Sequence, residues 1–181
     1  LSTVLILASI IVTGAASLYI RANYNKYKKV VLKKNKTGFD VAREILDKNG
    51  LNNVLVLETQ GELSDHYDPS KKVVKLSHDI YHGNTIASCS VAAHECGHAV
   101  QHARAYAPLQ MRSALVPVVQ FSSSIVSWVL LAGILLNEAF PQLLLIGICL
   151  FAMTTLFSFI TLPVEIDASR RALAWLGSAG I

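Results

Sequence analysis

The chain has 181 residues, 52% of them hydrophobic and only 15% charged, and its mean hydropathy is +0.45. That balance excludes an ordinary soluble globular domain and reads as a membrane protein. The net charge of +4 reads as membrane topology and contact with anionic lipid, not as nucleic-acid binding.

In chain order, the first element is an uncharged apolar stretch from about Leu1 to Ile20, long enough to span a bilayer. It has neither a basic leading region nor an obvious cleavage site, so it reads as an anchor (residues 1–20) and not as a signal peptide. The chain starts on Leu1 and stops at Gly180-Ile181 without a polar tail, as a processed or truncated chain would. A basic linker runs from Arg21 to Lys36. Thr37 then offers an N-cap with Asp40 three residues later. Val41, Ala42, Ile45 and Leu46 follow at helical spacing, and Asn49-Gly50 is a stop signal. Val54–Leu57 reads as a strand, Asp68-Pro69-Ser70-Lys71 as a turn and Lys72–Leu76 as a second strand, a candidate edge for aligning an extended substrate. The surroundings of His78 and His82 read as a solvated loop.

A helix is expected from about residue 85 to 103. A second span covers about residues 113–136, with its apolar run from Leu115, and a third covers 143–162, joined by the short Asn137–Gln142 loop. A new helix is expected to begin near Pro163, because proline suits a first helical turn, and to run over 163–181. The region 21–112 leaves roughly 90 residues for one small α+β domain. All 16 Lys and Arg fall between Arg21 and Arg112 or at Arg170-Arg171, so the positive-inside rule puts both regions in the cytoplasm and the Asn137–Gln142 loop outside. The odd number of cysteines, three, implies no disulfide framework and suits a cytoplasmic face. Cys96 reads as a small buried hydrophobe.

The decisive feature is His94-Glu95-Cys96-Gly97-His98, an H-E-x-x-H pattern expected by chance in about 1% of chains with these residue frequencies. Histidines four apart share one helix face and can bind one zinc ion, and the glutamate between them can reach a water in an open position. The apolar flanks Val91-Ala92-Ala93 and Ala99-Val100 predict a buried helix, in which two His and a Glu need partners. Catalytic zinc wants a third protein ligand. A His six residues beyond His98 is absent, since position 104 is Arg, and His102 lies on the wrong side of the ion. Glu165 is the better candidate, at the cytoplasmic end of an apolar span where ionisable groups are costly and usually functional. Asp167 and His66 are the alternatives. Glu165 shares a helix face with Ala168, Ser169 and Ala172, small residues that permit close packing. Asp167 otherwise suits a salt bridge with Arg170 or Arg171.

These blocks resemble the YugP-like neutral zinc metallopeptidases of bacterial membranes. The likeness covers the anchor, Ala42–Leu46, Leu63–Pro69, Val91–Gln101, Ala107-Pro108-Leu109 with Arg112-Ser113-Ala114, and Leu162–Glu165. It implies a mainly α-helical membrane protein: a transmembrane bundle with a small α+β zincin-like catalytic domain carrying the motif on a helix. It also implies a multi-pass protein of the bacterial cell membrane, active at its cytoplasmic face, with Zn2+ completed by Glu165. The chain is also similar to wider gluzincin membrane proteases, whose third ligand lies in an E-x-x-A-D helix. Here Ser169 replaces the final Asp, and Ser169, Asp167 and Arg170 are candidates for supporting the ligands.

The mechanism expected is hydrolysis of peptide bonds in membrane-associated proteins or peptides. Zinc held by His94, His98 and Glu165 activates a water, Glu95 acts as its base, and His66, Tyr67 or His82 steadies the oxyanion. The ligand set would also accept cobalt or manganese. The competing class is a membrane scaffold or chaperone-like protein with a structural zinc, in which His102, Asp167 or Cys96 closes the fourth position. A metal carrier comes third, because the spans offer mostly Ser and Thr as polar lining.

Overall fold

A computed structural model describes residues 2–61, 64–136 and 138–180. Leu1, Leu63, Asn137 and Ile181, which belong to the expected anchor, the Leu63–Pro69 block, the outer loop and the last helix, lie outside the described residues. Contacts divide the chain into two compact units, Leu1–Ala99 with Arg171–Ile181, and Val100–Arg170.

In the first unit, helix α1 (Ser2–Tyr27) carries the apolar leading segment and extends into the basic linker. The rest of the linker is pinned by backbone pairing to the loop preceding the motif helix. Leu32 donates its N–H to the Asn84 carbonyl at 2.9 Å, Ile86 to Val30 at 2.9 Å and Gly38 to Gly83 at 2.9 Å. Helix α2 (Gly38–Lys48) starts where expected: the Thr37 side chain accepts from the Asp40 N–H, and the Asp40 carboxylate accepts from the Thr37 N–H. This reciprocal capping satisfies two donors that would otherwise lack partners. Its apolar stripe, Val41, Ala42, Ile45 and Leu46, is buried, and the helix stops at Asn49, followed by Gly50 with φ +73°. Glycine adopts that left-handed conformation without a Cβ penalty. Arg43 ties α2 to the next segment, donating to the carbonyls of Val54 at 2.7 Å and Leu51 at 3.1 Å.

A small sheet follows: β1 (Leu55–Thr59), β2 (His66–Asp68) and β3 (Val73–Ser77), in the order β1-β3-β2. β1 pairs parallel with β3, and β2 pairs antiparallel with it. β3, which takes up Val73–Leu76 of the expected edge strand, is therefore the central strand and not an edge, and it is largely buried. The Asp68 carboxylate holds the turn by accepting from the backbone N–H groups of Ser70 and Lys71. The expected loop at His78–His82 is instead a short helix, α3 (His78–Tyr81), with His82 as its C-cap. Helix α4 (Ile86–Ala103) carries the motif. Its Cys89, Ala92, Ala93, Cys96 and Ala99 join Leu46, Val74, Leu76, Ile80, Ala172 and Leu176 in one core. The small residues on this face let neighbouring backbones come close, and burial of the aliphatic partners supplies the driving force.

In the second unit, helix α5 (Ala107–Leu135) and most of α6 (Pro141–Ala179) form a hairpin. A Cβ on Gly133 would meet the Leu144 backbone at 2.8 Å, and one on Gly147 would meet the Leu130 side chain at 2.7 Å. Small residues are what bring helices together where lipid removes the hydrophobic drive. Both helices are long and apolar enough to cross a membrane, with mean hydropathies of 1.9 and 2.5 over their most apolar windows. Trp128, Ile134, Phe151 and Phe159 are exposed along them. Pro163 does not start a new helix; it lies inside α6, which runs unbroken for 39 residues. Proline removes one backbone donor there, while the rest of the hydrogen-bond ladder carries the helix through.

Two outcomes are expected. A Cβ at position 38 would lie 2.1 Å from the Ile80 carbonyl oxygen and 3.3 Å from that of Ser88, both backbone atoms. Gly38→Ala should therefore cost about 1–3 kcal/mol in thermal melts of the detergent-purified chain, whereas Gly14→Ala, with nothing within 4 Å, should not. Lys36 and Lys48 hydrogen-bond the Glu44 carboxylate and, Lys36 foremost, pull its pKa down from 4.5 to about 2. A depressed folded pKa contributes stability above pH 4.5 that is lost as pH falls through about 2. Glu44→Gln should thus destabilise at neutral pH by about 0.2–1 kcal/mol, as a solvent-screened pair allows. Urea titrations across pH should find that gap closing in the acid limb.

Candidate metal centre

The motif residues occupy the side of α4 opposite the core. At 100° per residue, Ala92, Cys96 and Ala99 fall together, while His94, His98 and Gln101 fall on the far side. This follows from the sequence of small residues: Ala and Cys give a face that can be buried without a polar cost, so the imidazoles point away from it. The His94 and His98 rings lie edge to face with centroids 4.8 Å apart. Their ligand nitrogens come within 4.8 Å of one another, a pair that can hold one ion. His98 is buried, His94 and Glu95 are half-buried, and Glu95 sits about 60° around the helix from His98. The donor set, two imidazoles one turn apart beside a carboxylate, fits zinc chemistry.

Cys96, inside the motif, is fully buried with its thiol donating toward the Ala42 carbonyl at 3.6 Å. Burial pushes its pKa far above the ordinary thiol value, so it behaves as the small hydrophobe expected. His102 is exposed.

Gln101 belongs to the same face as the histidines and is itself fully buried. Its side-chain N–H groups reach the Val164 carbonyl at 2.8 Å and the Asp167 carboxylate at 2.9 Å. Asp167 is thus held by an amide on α4, a partner the sequence did not suggest. Glu165 is half-buried on α6, with Arg112 Nη1 3.6 Å from its Oε1. The Arg112 Nε is buried without a hydrogen-bond partner among the described residues. Neither Gln101 nor Arg112 was singled out as functional from sequence. Their signal was a polar side chain in an apolar setting, which is weak until the facing helix is known. On α6, Val164, Ala168, Ala172 and Leu176 form the buried i,i+4 stripe, whereas Ser169 and Arg170 are exposed.

The residues proposed for oxyanion contact are engaged in different ways. His66 is exposed on β2, its Nδ1 donating to the Ser64 carbonyl at 2.7 Å. Tyr67 is half-buried against the core, and that desolvation raises its pKa. His82, exposed in the bend that follows α3, has its Nε2 3.2 Å from the Glu58 carboxylate, beside His78. The neighbouring Asp65 accepts from the Ser77 N–H at 2.7 Å and hydroxyl at 3.0 Å, bracing the end of β3.

Comparison with known proteins agrees with this chemistry. Residues 2–181 match a family described as "Putative neutral zinc metallopeptidase". The chain is also 44% identical over 165 residues to a Bacillus subtilis (strain 168) protein named "Putative membrane protease YugP", covering 91% of this chain and 72% of that protein. No solved structure matches. With the motif histidines paired on a half-buried helix face and the family match running through nearly the whole chain, the protein belongs to the neutral zinc metallopeptidase family.

Proposed function

We propose that the protein is an integral-membrane zinc-dependent metalloendopeptidase, with His94, His98 and Glu165 as metal ligands and Glu95 as the general base. The observation that carries this reading is the pairing of His94 and His98 on one face of α4 with Glu95 beside them. A purely structural zinc has no use for that carboxylate.

Support for Glu165 comes from its place in the sequence, a carboxylate at the end of an apolar run, where ionisable groups are costly and usually functional. Asp167, engaged by Gln101, fixes the two helices in register, the kind of outer contact that orients ligands.

Zinc, when bound, supplies Lewis-acid polarisation of the scissile carbonyl and acidification of the attacking water. Glu95 takes the proton from that water and delivers it to the leaving amine. His66, Tyr67 and His82 are the candidate donors for the developing oxyanion. α1, α5 and α6 anchor the chain as a multi-pass protein. Because its Lys and Arg gather between Arg21 and Arg112 and at Arg170-Arg171, the active face is cytoplasmic. Substrates are then membrane proteins or peptides with unfolded segments near that face.

Cleavage of casein or a membrane protein by detergent-purified chain, with zinc content measured alongside, tests the reading. Glu95→Gln should keep zinc near one per catalytic centre and lower turnover by about 10²–10⁴, the usual contribution of a general base. Bound zinc with no cleavage by either protein across several substrates would instead favour the scaffold reading. Glu165→Ala should lower both zinc affinity and cleavage, while Asp167→Asn, which keeps a hydrogen-bonding partner for Gln101, should largely retain zinc. Equal zinc affinity in Glu165→Ala and wild type would remove Glu165 from the ligand set.

A further inference from the structure

We propose that Glu58, His78 and His82 form a second site for a divalent transition metal, separate in sequence from the motif and built on the sheet and not on α4. β1 and β3 are parallel and register Glu58 with Leu76 and Thr59 with Ser77, so both strands end at the same border of the sheet. Residues at the carboxyl ends of parallel strands are natural ligand positions, because the chain turns away there and leaves a crevice. α3 begins directly after β3, and its first residue and its C-cap are His78 and His82. Four residues apart, their rings are tilted at 51° to each other with centroids 4.8 Å apart.

Glu58 reaches across from β1 and uses one oxygen for each ring. Oε1 lies 2.6 Å from His78 Nδ1, and Oε2 lies 3.2 Å from His82 Nε2. All three residues offer ligand atoms within 4.8 Å of one another. Ligands on a tetrahedral zinc sit about 3.4 Å apart, so small side-chain rotations of exposed groups suffice to gather them. Two imidazoles and one carboxylate form the ligand set of many open zinc sites, and they suit copper and nickel as well.

The surroundings favour an accessible ion. Glu58 and His78 line a cleft of about 1010 Å³, together with Arg21, Lys28, Gln60 and Asp79. Lys28 is neutralised by Asp79 at 2.5 Å, which removes one nearby cation that would oppose a metal. With three protein ligands, a fourth position stays open to the cleft for water or for a donor from a bound molecule.

Metal stoichiometry decides the matter. Tag-free, metal-stripped full-length chain in detergent is titrated with Zn2+ against a chelator of micromolar affinity. Wild type should take up two ions. Glu58→Gln/His78→Asn/His82→Asn, altered only at exposed side chains, should take up one. His94→Ala/His98→Ala should also take up one, and the combined variant none. Loss of one ion in the sheet variant supports the second site even if the motif variant loses nothing, so failure of the peptidase reading and failure of this one are distinguishable. Uptake unchanged by the Glu58/His78/His82 substitutions, whether one ion or two, overturns the proposal, as does a wild type that binds no zinc.

Discussion

The whole arrangement rests on burying one face of α4 without using large side chains. Cys89, Ala92, Ala93, Cys96 and Ala99 are almost wholly enclosed, and each is small enough to let the α2 and sheet side chains close over the helix. A helix packed on such a surface is fixed in rotation, because turning it by one residue would bring a histidine or a glutamate into an apolar core. Rotation in turn fixes where His94, Glu95 and His98 point. The site is therefore a by-product of packing: the core decides the direction of the imidazoles, and Gln101 extends the same face one turn further to a polar anchor on α6.

Much of this was legible in the sequence because the signals were local. Thr37 and Asp40 cap α2 by side chains three residues apart, and Asn49-Gly50 stop it. The motif helix and its buried thiol followed from a 3.6-residue pattern. What stayed hidden depended on distant pairing. β3 became central only because β1 and β2 both chose it, and nothing in Lys72–Leu76 distinguishes an edge from a centre except burial on both faces. α3 escaped notice because four residues are too few for periodicity. Pro163 signalled a break that α6 does not make, since local proline chemistry is overridden when the neighbouring turns remain bonded. The roles of Gln101 and Arg112 needed knowledge of what faces them.

The two apolar helices of the second unit are long and apolar enough to suit a different solvent. Exposed Trp128, Ile134, Phe151 and Phe159 would be a liability in water and are ordinary surface in lipid. Cohesion between α5 and α6 falls instead to close backbone approach at Gly133 and Gly147. One chain thus uses large apolar residues to gather its sheet and small ones to bring its two longest apolar helices together.

Cys96 carries a consequence of its own. A thiol in the middle of the motif would ordinarily be a target for alkylation, oxidation or capture by soft metals. Here it is fully buried against the Ala42 carbonyl, and burial raises its pKa, so thiol reagents should reach that position only slowly. Only a breathing motion that parts α2 from α4 would bare the sulfur. Its labelling rate becomes a clock for opening of the core, with a built-in reporter at the residue next to the candidate base.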